Sequence, residues 1–306
     1  VLAVIALGGN AFTREGARVG SPEEQWERVR LAAGDVADMI EEGFDVIVTH
    51  GNGPQAGLLA ERVGDYLSLD MIDAATEGWM GYLIVNALTN EFLRRGIRRS
   101  PVIVISRSIV NKNDPAFQNP TKYIGPIYDK ETADKISRER GWVFRWDARG
   151  GYRRVVPSPE PMGVMELDLI RLLIREGYVP IAVGGGGIPI ISNGEIQGID
   201  AVIDKDLASQ VLANAINADY LLILTDVDYV YINYKKPNQS RLVEVAVNEL
   251  ERHYNEGQFP PGSMGPKVLA AIRFIKNGGR AAYVGPLGRA KDIIRGRIGT
   301  KVTPRD

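Results

Sequence analysis

A three-layer α/β fold, with helices on both faces of an open and mainly parallel sheet, is predicted by two features of the chain. Short apolar runs without polar alternation recur along it, and amphipathic helical stretches separate them. A strand that is apolar at every position is buried on both faces, which requires helices above and below it. The runs are Val1–Leu7, Phe44–Thr49, Pro101–Ser106, Val179–Val183, Leu221–Thr225 and Ala281–Val284. After the first run, Ser21 is placed to cap a helix, Pro22 suits its first position and Glu24 completes a capping box. Trp26, Val29, Ala33, Val36, Ala37 and Ile40 then keep one apolar stripe until Gly43 ends it. A second helical pattern runs from about Asp70 to Arg95 and stops at Gly96. Repeated strand–helix–strand units of this kind argue for an open α/β sheet.

One segment breaks the rhythm. From Asn111 to about Pro161 the chain turns polar, Pro-rich and aromatic, beginning NDPAFQNPTKYIGP. A short helix is predicted at Glu131–Arg140, and WVFRWD and YRRVVP flank ARGG as a β-hairpin, with Trp142, Phe144 and Trp146 on one face. Two readings of this excursion stay open: a surface segment packed on itself, or a lid over a site. A second small hairpin is predicted at Asn193-Gly194.

Composition removes several chemistries. Lys and Arg number 37 against 38 Asp and Glu, a formal charge of −1, so no basic surplus exists to drive general nucleic-acid binding. The absence of Cys excludes disulfides, thiol nucleophiles and thiolate-held metals, and two histidines, His50 and His253, do not make a His-rich metal centre. The apolar start lacks the flanks of a signal peptide, and no apolar stretch approaches the ~20 residues that span a bilayer. The expectation is a cytosolic protein of 306 residues folded as a single domain, with no membrane partner.

Glycine clusters follow the apolar runs, and their position matters more than their number. Gly8-Gly9-Asn10, Gly51-Asn52-Gly53 and Gly184–Gly187 each follow a predicted strand. Ligands of open α/β sheets bind beyond the carboxyl ends of the strands, where glycine lets backbone N–H groups approach an anion. A phosphate or carboxylate site is therefore predicted. No GxxxxGK[ST] is present, so a Walker A loop is excluded, while Gly51-Asn-Gly53-Pro-Gln-Ala56 loosely matches a dinucleotide fingerprint. Among the lysines, Lys122 sits in NPTKYIGP, Lys267 at a predicted helix start, and Lys205 between Asp204 and Asp206 just after an apolar stretch. A lysine flanked by carboxylates at such a junction is positioned rather than free. His50 is read as orienting its loop, His253 as the end of a surface helix, and Asp73 and Glu77 as solvated or interface residues. Trp79, Met80, Tyr82 and Leu83 suit a subunit contact or the core equally well.

The motifs IALGGNA, THGNGPQAG, NDPAFQNPTKYIGP, RRVVPSPEP, GGGGIP, AVIDKDLA, LTDVD and GSMGPKVLAAIRF closely resemble the carbamate kinases of the amino acid kinase superfamily, in order and over nearly the whole chain. The resemblance implies reversible phosphoryl transfer, ATP + carbamate giving ADP + carbamoyl phosphate, with Mg²⁺ accompanying the nucleotide, and a homodimer. It implies an N-terminal carbamate/carbamoyl phosphate lobe over about 1–178, a nucleotide lobe over about 179–306 and a protruding lid subdomain over about 111–161. Gly8, Gly9, Asn10, Gly51 and Asn52 would hold carbamate and the transferring phosphoryl group. Lys122, Lys205, Asp206 and Lys267 would form the catalytic set, with Lys205 and Lys267 on the nucleotide phosphates and Asp206 orienting the lysines. Gly185, Gly186, Asp226, Val227, Tyr234 and Met264 would lie near the nucleotide, and no residue would be a dedicated metal ligand. Two places depart from the family pattern: Tyr123 replaces the proline common after PTK, and Asp228–Lys236 differs in spacing. Rival readings are another amino acid kinase with a different acceptor, a dinucleotide oxidoreductase using Gly51–Gly53, and a nucleotide-binding regulator without turnover.

Overall fold

The computed structural model describes residues 1–13, 19–147 and 149–304, and the side chain of Asn10 lies outside that description. Among the described residues the main sheet holds β1 (Leu2–Leu7), β2 (Asp45–His50), β3 (Ser100–Ile103), β4 (Tyr178–Ile181), β5 (Tyr220–Thr225), β6 (Glu244–Ala246), β7 (Ala281–Pro286) and β8 (Thr300–Thr303). Their order is β6-β8-β7-β5-β1-β2-β4-β3. Every neighbouring pair is parallel except β7 with β8. All six apolar runs became strands of this sheet. The two that the runs did not announce, β6 and β8, are short; β8 reads TKVT, alternating buried and half-buried residues instead of a continuous apolar run.

The helices are α1 (Pro22–Glu41), α2 (Gly53–Val63), α3 (Leu69–Arg95), α4 (Lys130–Arg140), α5 (Leu167–Arg175), α6 (Lys205–Ala215), α7 (Val247–Asn255), α8 (Met264–Lys276) and α9 (Ala290–Ile294). Alternate residues of the central strands serve opposite faces. Ala3, Ile5 and Leu7 of β1 pack with Leu222 and Leu224 of β5 against α1, α3 and α9. Val4 and Ala6 pack with Leu221 and Ile223 against α5, α6, α7 and α8. Each fully buried aliphatic chain of this kind stabilises the fold by roughly 2 kcal/mol. The predicted cap of α1 is present, since Ser21 Oγ accepts from Glu24 N at 3.3 Å. Gly96 ends α3 in the left-handed region at φ 68°, a conformation glycine adopts without strain.

The excursion forms its own three-stranded antiparallel sheet, from strands Lys122–Tyr128, Gly151–Val156 and Val143–Asp147 with α4 alongside. It packs on itself through Phe144 against Tyr128 and Trp146 against Tyr152. Trp142, ahead of its strand, lies instead under the Arg154 guanidinium at 3.7 Å. Tyr123 donates its hydroxyl to Trp146 O at 2.8 Å and so ties two strands of this sheet together. The Asn193-Gly194 hairpin is also present, joining Ile188–Ser192 to Ile196–Gly198.

Two readings of α3 are corrected. Asp73 and Glu77 are not solvated: they are 0% and 2% exposed. The apolar stripe of a long helix does not reveal that a second, polar face is also covered, here by the glycine-rich turns of the sheet edge. Met80 and Leu83 belong to the core, while Tyr82 is half exposed and stands edge-to-face against Trp26. No helix among the described residues is long and apolar enough to cross a membrane.

One buried carboxylate ties α1 to the far edge of the fold. Asp35 accepts from Gly288 N at 2.6 Å and Ala290 N at 2.8 Å, at the start of α9. Burial raises its pKa to about 7 despite those two bonds. An unfolded aspartate ionises near ~4, so between the two values the folded state binds more protons and loses stability as pH rises. Asp35→Asn removes this titration. Thermal melts of both proteins from pH 4.5 to 8 should show the wild type losing ground to the variant progressively from pH 4.5 to about 7, with a constant gap above that. A gap that is constant over the whole range would refute the assignment.

Candidate active site

Parallel strands β1, β2 and β5 end side by side, so the loops that follow them meet at one edge of the sheet. Gly8 N donates to Leu224 O and Gly51 N to Leu7 O, both at 3.0 Å, which extends the ladder one residue past the strand ends. A Cβ on Gly8 would lie 3.0 Å from Leu224 O. One on Gly51 would lie 3.8 Å from Gly9 N and 3.6 Å from Lys205 Cγ. Small residues here let two backbones and a lysine converge.

Helices α6 and α8 begin at the same place. Asp204 caps α6, its Oδ1 accepting from Asp206 N at 2.9 Å and Leu207 N at 3.2 Å. Lys205 is the first residue of α6, and Lys267 stands in the first turn of α8. Asp206 lies between the two lysines: Oδ1 is 2.6 Å from Lys205 Nζ, and Oδ2 is 2.8 Å from Lys267 Nζ. Burial alone would raise Asp206, but the two ammonium groups outweigh it and hold the carboxyl well below the usual range. Burial lowers Lys205, with the Asp206 charge opposing, whereas at Lys267 the Asp206 charge prevails over burial and raises the pKa. The third lysine arrives from the excursion's sheet, where Lys122 Nζ is 2.5 Å from Asp204 Oδ2. Three lysines from three separate segments thus meet around two aspartates, beside the positive ends of two helices.

Two cavities join at this cluster. One of about 200 Å³ is lined by Gly9, Gly51, Asn52, Lys122, Gly185 and Lys205 among others. The second, of about 410 Å³, is lined by Asp226, Val227, Tyr231, Tyr234, Phe259 and Met264 among others. Gly8, Gly9, Gly262, Ser263 and Lys267 border both. A larger cavity of about 680 Å³ lies between α2, the start of α3 and the excursion's sheet, but it contains none of the three lysines.

Nearly all the residues singled out from the sequence are brought together. Lys122, Lys205, Asp206, Lys267, Gly8, Gly9, Gly51 and Asn52 border the smaller cavity, and Asp226, Val227, Tyr234 and Met264 the larger. Asn10 starts the same turn as Gly9, with its side chain outside the described residues. Gly185 and Gly186 fall elsewhere than expected. Gly185 lines the smaller cavity and is absent from the lining of the larger, while Gly186 lines neither; a Cβ on Gly186 would lie 2.5 Å from Ile203 O. Asp204, Tyr229, Tyr231 and Ser263 were not singled out as site residues. The N-cap position of Asp204 ahead of a helix was the signal available for the first; nothing in the sequence pattern marked the other three.

Buried groups set the loops from behind. Glu77 Oε2 accepts from Ser106 N at 2.7 Å, and Ser106 Oγ accepts from Val183 N at 2.8 Å. Val183 has φ 54°, and this chain of bonds holds its left-handed turn into Gly184–Gly186. Burial keeps Glu77 protonated well above the ordinary carboxylate range. His50 Nδ1 donates to Gly51 O at 3.0 Å, and burial lowers its pKa to about 4, so it is a neutral loop-orienting group as the sequence suggested. His253 sits near the end of α7 between Glu249 and Glu256.

Comparisons with known proteins agree with one another. The amino acid kinase family profile matches residues 2–286. Carbamate kinase of Pyrococcus horikoshii is 51% identical over 310 residues, covering 98% of both chains. That of Clostridium perfringens is 44% identical over 310 residues, again covering 98% of both. The solved structure of carbamate kinase from Giardia lamblia bound to AMP-PNP superposes with a TM-score of 0.89 at 38% identity, over 99% of this chain and 98% of that one.

The excursion's sheet is held against α2 by a contact between two backbones. A Cβ on Gly57 would fall 2.0 Å from the Cα and N of Gly125, the residue at the irregularity in strand Lys122–Tyr128. Arg153 Nε donates to Gly125 O at 2.6 Å and secures the same point. Gly57→Ala should therefore push that strand off α2 and break the Lys122–Asp204 pair. Hydrogen exchange would read this as faster exchange at Ile124 and its neighbours with β1 unchanged; equal exchange in both proteins would show that the contact does not set the strand's position.

Proposed function

The chain belongs to the carbamate kinases of the amino acid kinase family and is a kinase, and we propose that it catalyses ATP + carbamate ⇌ ADP + carbamoyl phosphate by charge stabilisation, without a covalent intermediate. The observation that carries this reading is the cluster of Lys122, Lys205 and Lys267 where the two cavities join. Phosphoryl transfer spreads charge over oxygens, and what it needs from a protein is alignment and cations placed where that charge develops. The larger cavity, with Tyr229, Tyr231, Tyr234 and Met264 on its walls, suits a nucleoside. Its phosphates would run past Gly8, Gly9, Ser263 and Lys267 into the smaller cavity, which suits a small carboxylate.

In this arrangement Lys267 meets the leaving phosphate, Lys205 the transferring group, and Lys122 closes from the acceptor side. Asp206 keeps two like charges together in a buried place, which unpaired ammonium groups would not tolerate. The amides of the glycine loops supply further donors. Carbamate already carries an anionic oxygen and attacks phosphorus without giving up a proton, so no general base is required, in keeping with the neutral, loop-bound His50. The lid excludes water from a labile acyl phosphate.

Magnesium enters this proposal as a companion of the nucleotide. Among the described residues no three His, Cys, Asp or Glu gather into a metal-holding group. The carboxylates of Asp204 and Asp206 are engaged by lysines, and Asp226, at the larger cavity, is the carboxylate placed near the phosphate path. That donor set fits an ion held mainly by phosphate oxygens and water. The reading includes a homodimer, to which the exposed Tyr82–Trp26 pair would offer an aromatic surface.

The test is ATP formation from ADP, Mg²⁺ and carbamoyl phosphate, with acetyl phosphate in parallel; no ATP from carbamoyl phosphate, with ADP still bound, would reject this acceptor. Lys205→Ala should lower turnover by about 100-fold or more through loss of one charge partner, and near-normal turnover would discard the lysine arrangement. Lys122→Ala should slow turnover while leaving the ADP dissociation constant unchanged, because Lys122 borders only the smaller of the two joined cavities. A large loss of ADP affinity would place Lys122 on the nucleotide instead.

A further inference from the structure

Asn52 is held in one orientation by groups behind the site. Its Nδ2 donates to Asp73 Oδ1 at 2.9 Å and to Thr76 Oγ1 at 3.0 Å. The Thr76 hydroxyl proton is already donated to Asp73 O at 2.8 Å, so Oγ1 has only acceptor capacity left for Asn52. This identifies which end of the amide is nitrogen without reference to the charge on Asp73. The Gly185 backbone packs closely on the same amide, since a Cβ there would stand 2.3 Å from Asn52 Nδ2. Both amide hydrogens are therefore spent on α3. Among the described residues none donates to Asn52 Oδ1, and Asn52 lines the smaller cavity. What the side chain offers a ligand there is an acceptor and no donor.

We infer that Thr76 and Asp73 are positioning residues for substrate selection, fixing Asn52 so that its carbonyl oxygen reads the amino group of carbamate and of carbamoyl phosphate. The inference rests on the reaction proposed above and gives such an enzyme a means of separating carbamate from acetate. The two acids have the same shape and charge and differ by NH₂ against CH₃. An amino group donates to the waiting oxygen, whereas a methyl group leaves that oxygen desolvated and unpaired. A neutral Asp73 suits the role: burial raises its pKa well above the ordinary range, and a proton on Oδ2, which has no partner, leaves Oδ1 as the acceptor for Asn52. No charge then stands behind the amide to attract or repel the substrate's own.

The experiment compares kcat/KM for carbamoyl phosphate and for acetyl phosphate in ATP formation by the wild type and by Thr76→Val, which keeps the shape and removes the acceptor. Thr76 does not line either joined cavity, so a merely structural role would lower both rates together. The expected result is a fall of about 10-fold or more in the ratio of the two, with the ADP dissociation constant unchanged. Thr76→Ser, which restores the acceptor, should recover the wild-type ratio. Should Thr76→Val fail to fold, Asn52→Leu gives the same reading directly: its ratio must fall likewise. An unchanged ratio in a folded, active variant overturns the inference while leaving the proposed reaction standing. A wild type that makes no ATP from carbamoyl phosphate overturns the reaction, and this inference with it.

Discussion

One buried carboxylate, Asp206, bridges two ammonium groups that stand at the starts of α6 and α8. Each lysine brought there alone would face a double penalty, from lost water and from the other's charge, together with the positive ends of both helices. The shared carboxylate offsets both, and because each of its oxygens serves one lysine it also fixes where the two nitrogens stand. The apolar packing of α6 against α8 holds the same two helix ends in place from behind. The sheet completes the frame by ending β1, β2 and β5 beside the cluster, so that glycine amides and lysines face one space.

Asp204 performs a related task with different geometry. One oxygen caps α6 and the other holds Lys122, so the helix that carries Lys205 and the strand that carries Lys122 are joined through a single side chain. The glycine pair Gly57 and Gly125 lets that strand descend far enough for the bond to form. The excursion's sheet thus touches the main body at two points, a steric one on α2 and an electrostatic one on α6, about three residues apart along the same strand.

Much of this frame was legible in the residues. Continuous apolar runs marked six strands of the main sheet, because strands enclosed between helices keep few polar positions. Glycines after those runs marked the loops, and the lysine between two aspartates marked the charge cluster. Strands β6 and β8 were not legible because they are short and mixed in character. Asp73 and Glu77 were misread because a carboxylate on a helix announces solvent unless something long-range covers it. Here the covers are Asn52 and Ser106, 21 and 29 residues away. The separation of Gly185 from Gly186 was hidden for a similar reason. Adjacent glycines look alike in sequence, while one backbone faces a cavity and the next is pressed against Ile203.

The bond from Lys122 to Asp204 has a further consequence for how an anion is received. Three cations and two carboxylates share the junction, so its excess charge is small even though lysines are abundant. An ammonium group carries three N–H donors and Lys122 gives one to Asp204, so an oxyanion arriving there would share the group with that carboxylate. The affinity gained would be the attraction of the ammonium group less the repulsion of the carboxylate beside it. Under the proposed reaction, such sharing would favour anions that also reach the neighbouring lysines, and the departing product would leave Lys122 still paired with Asp204.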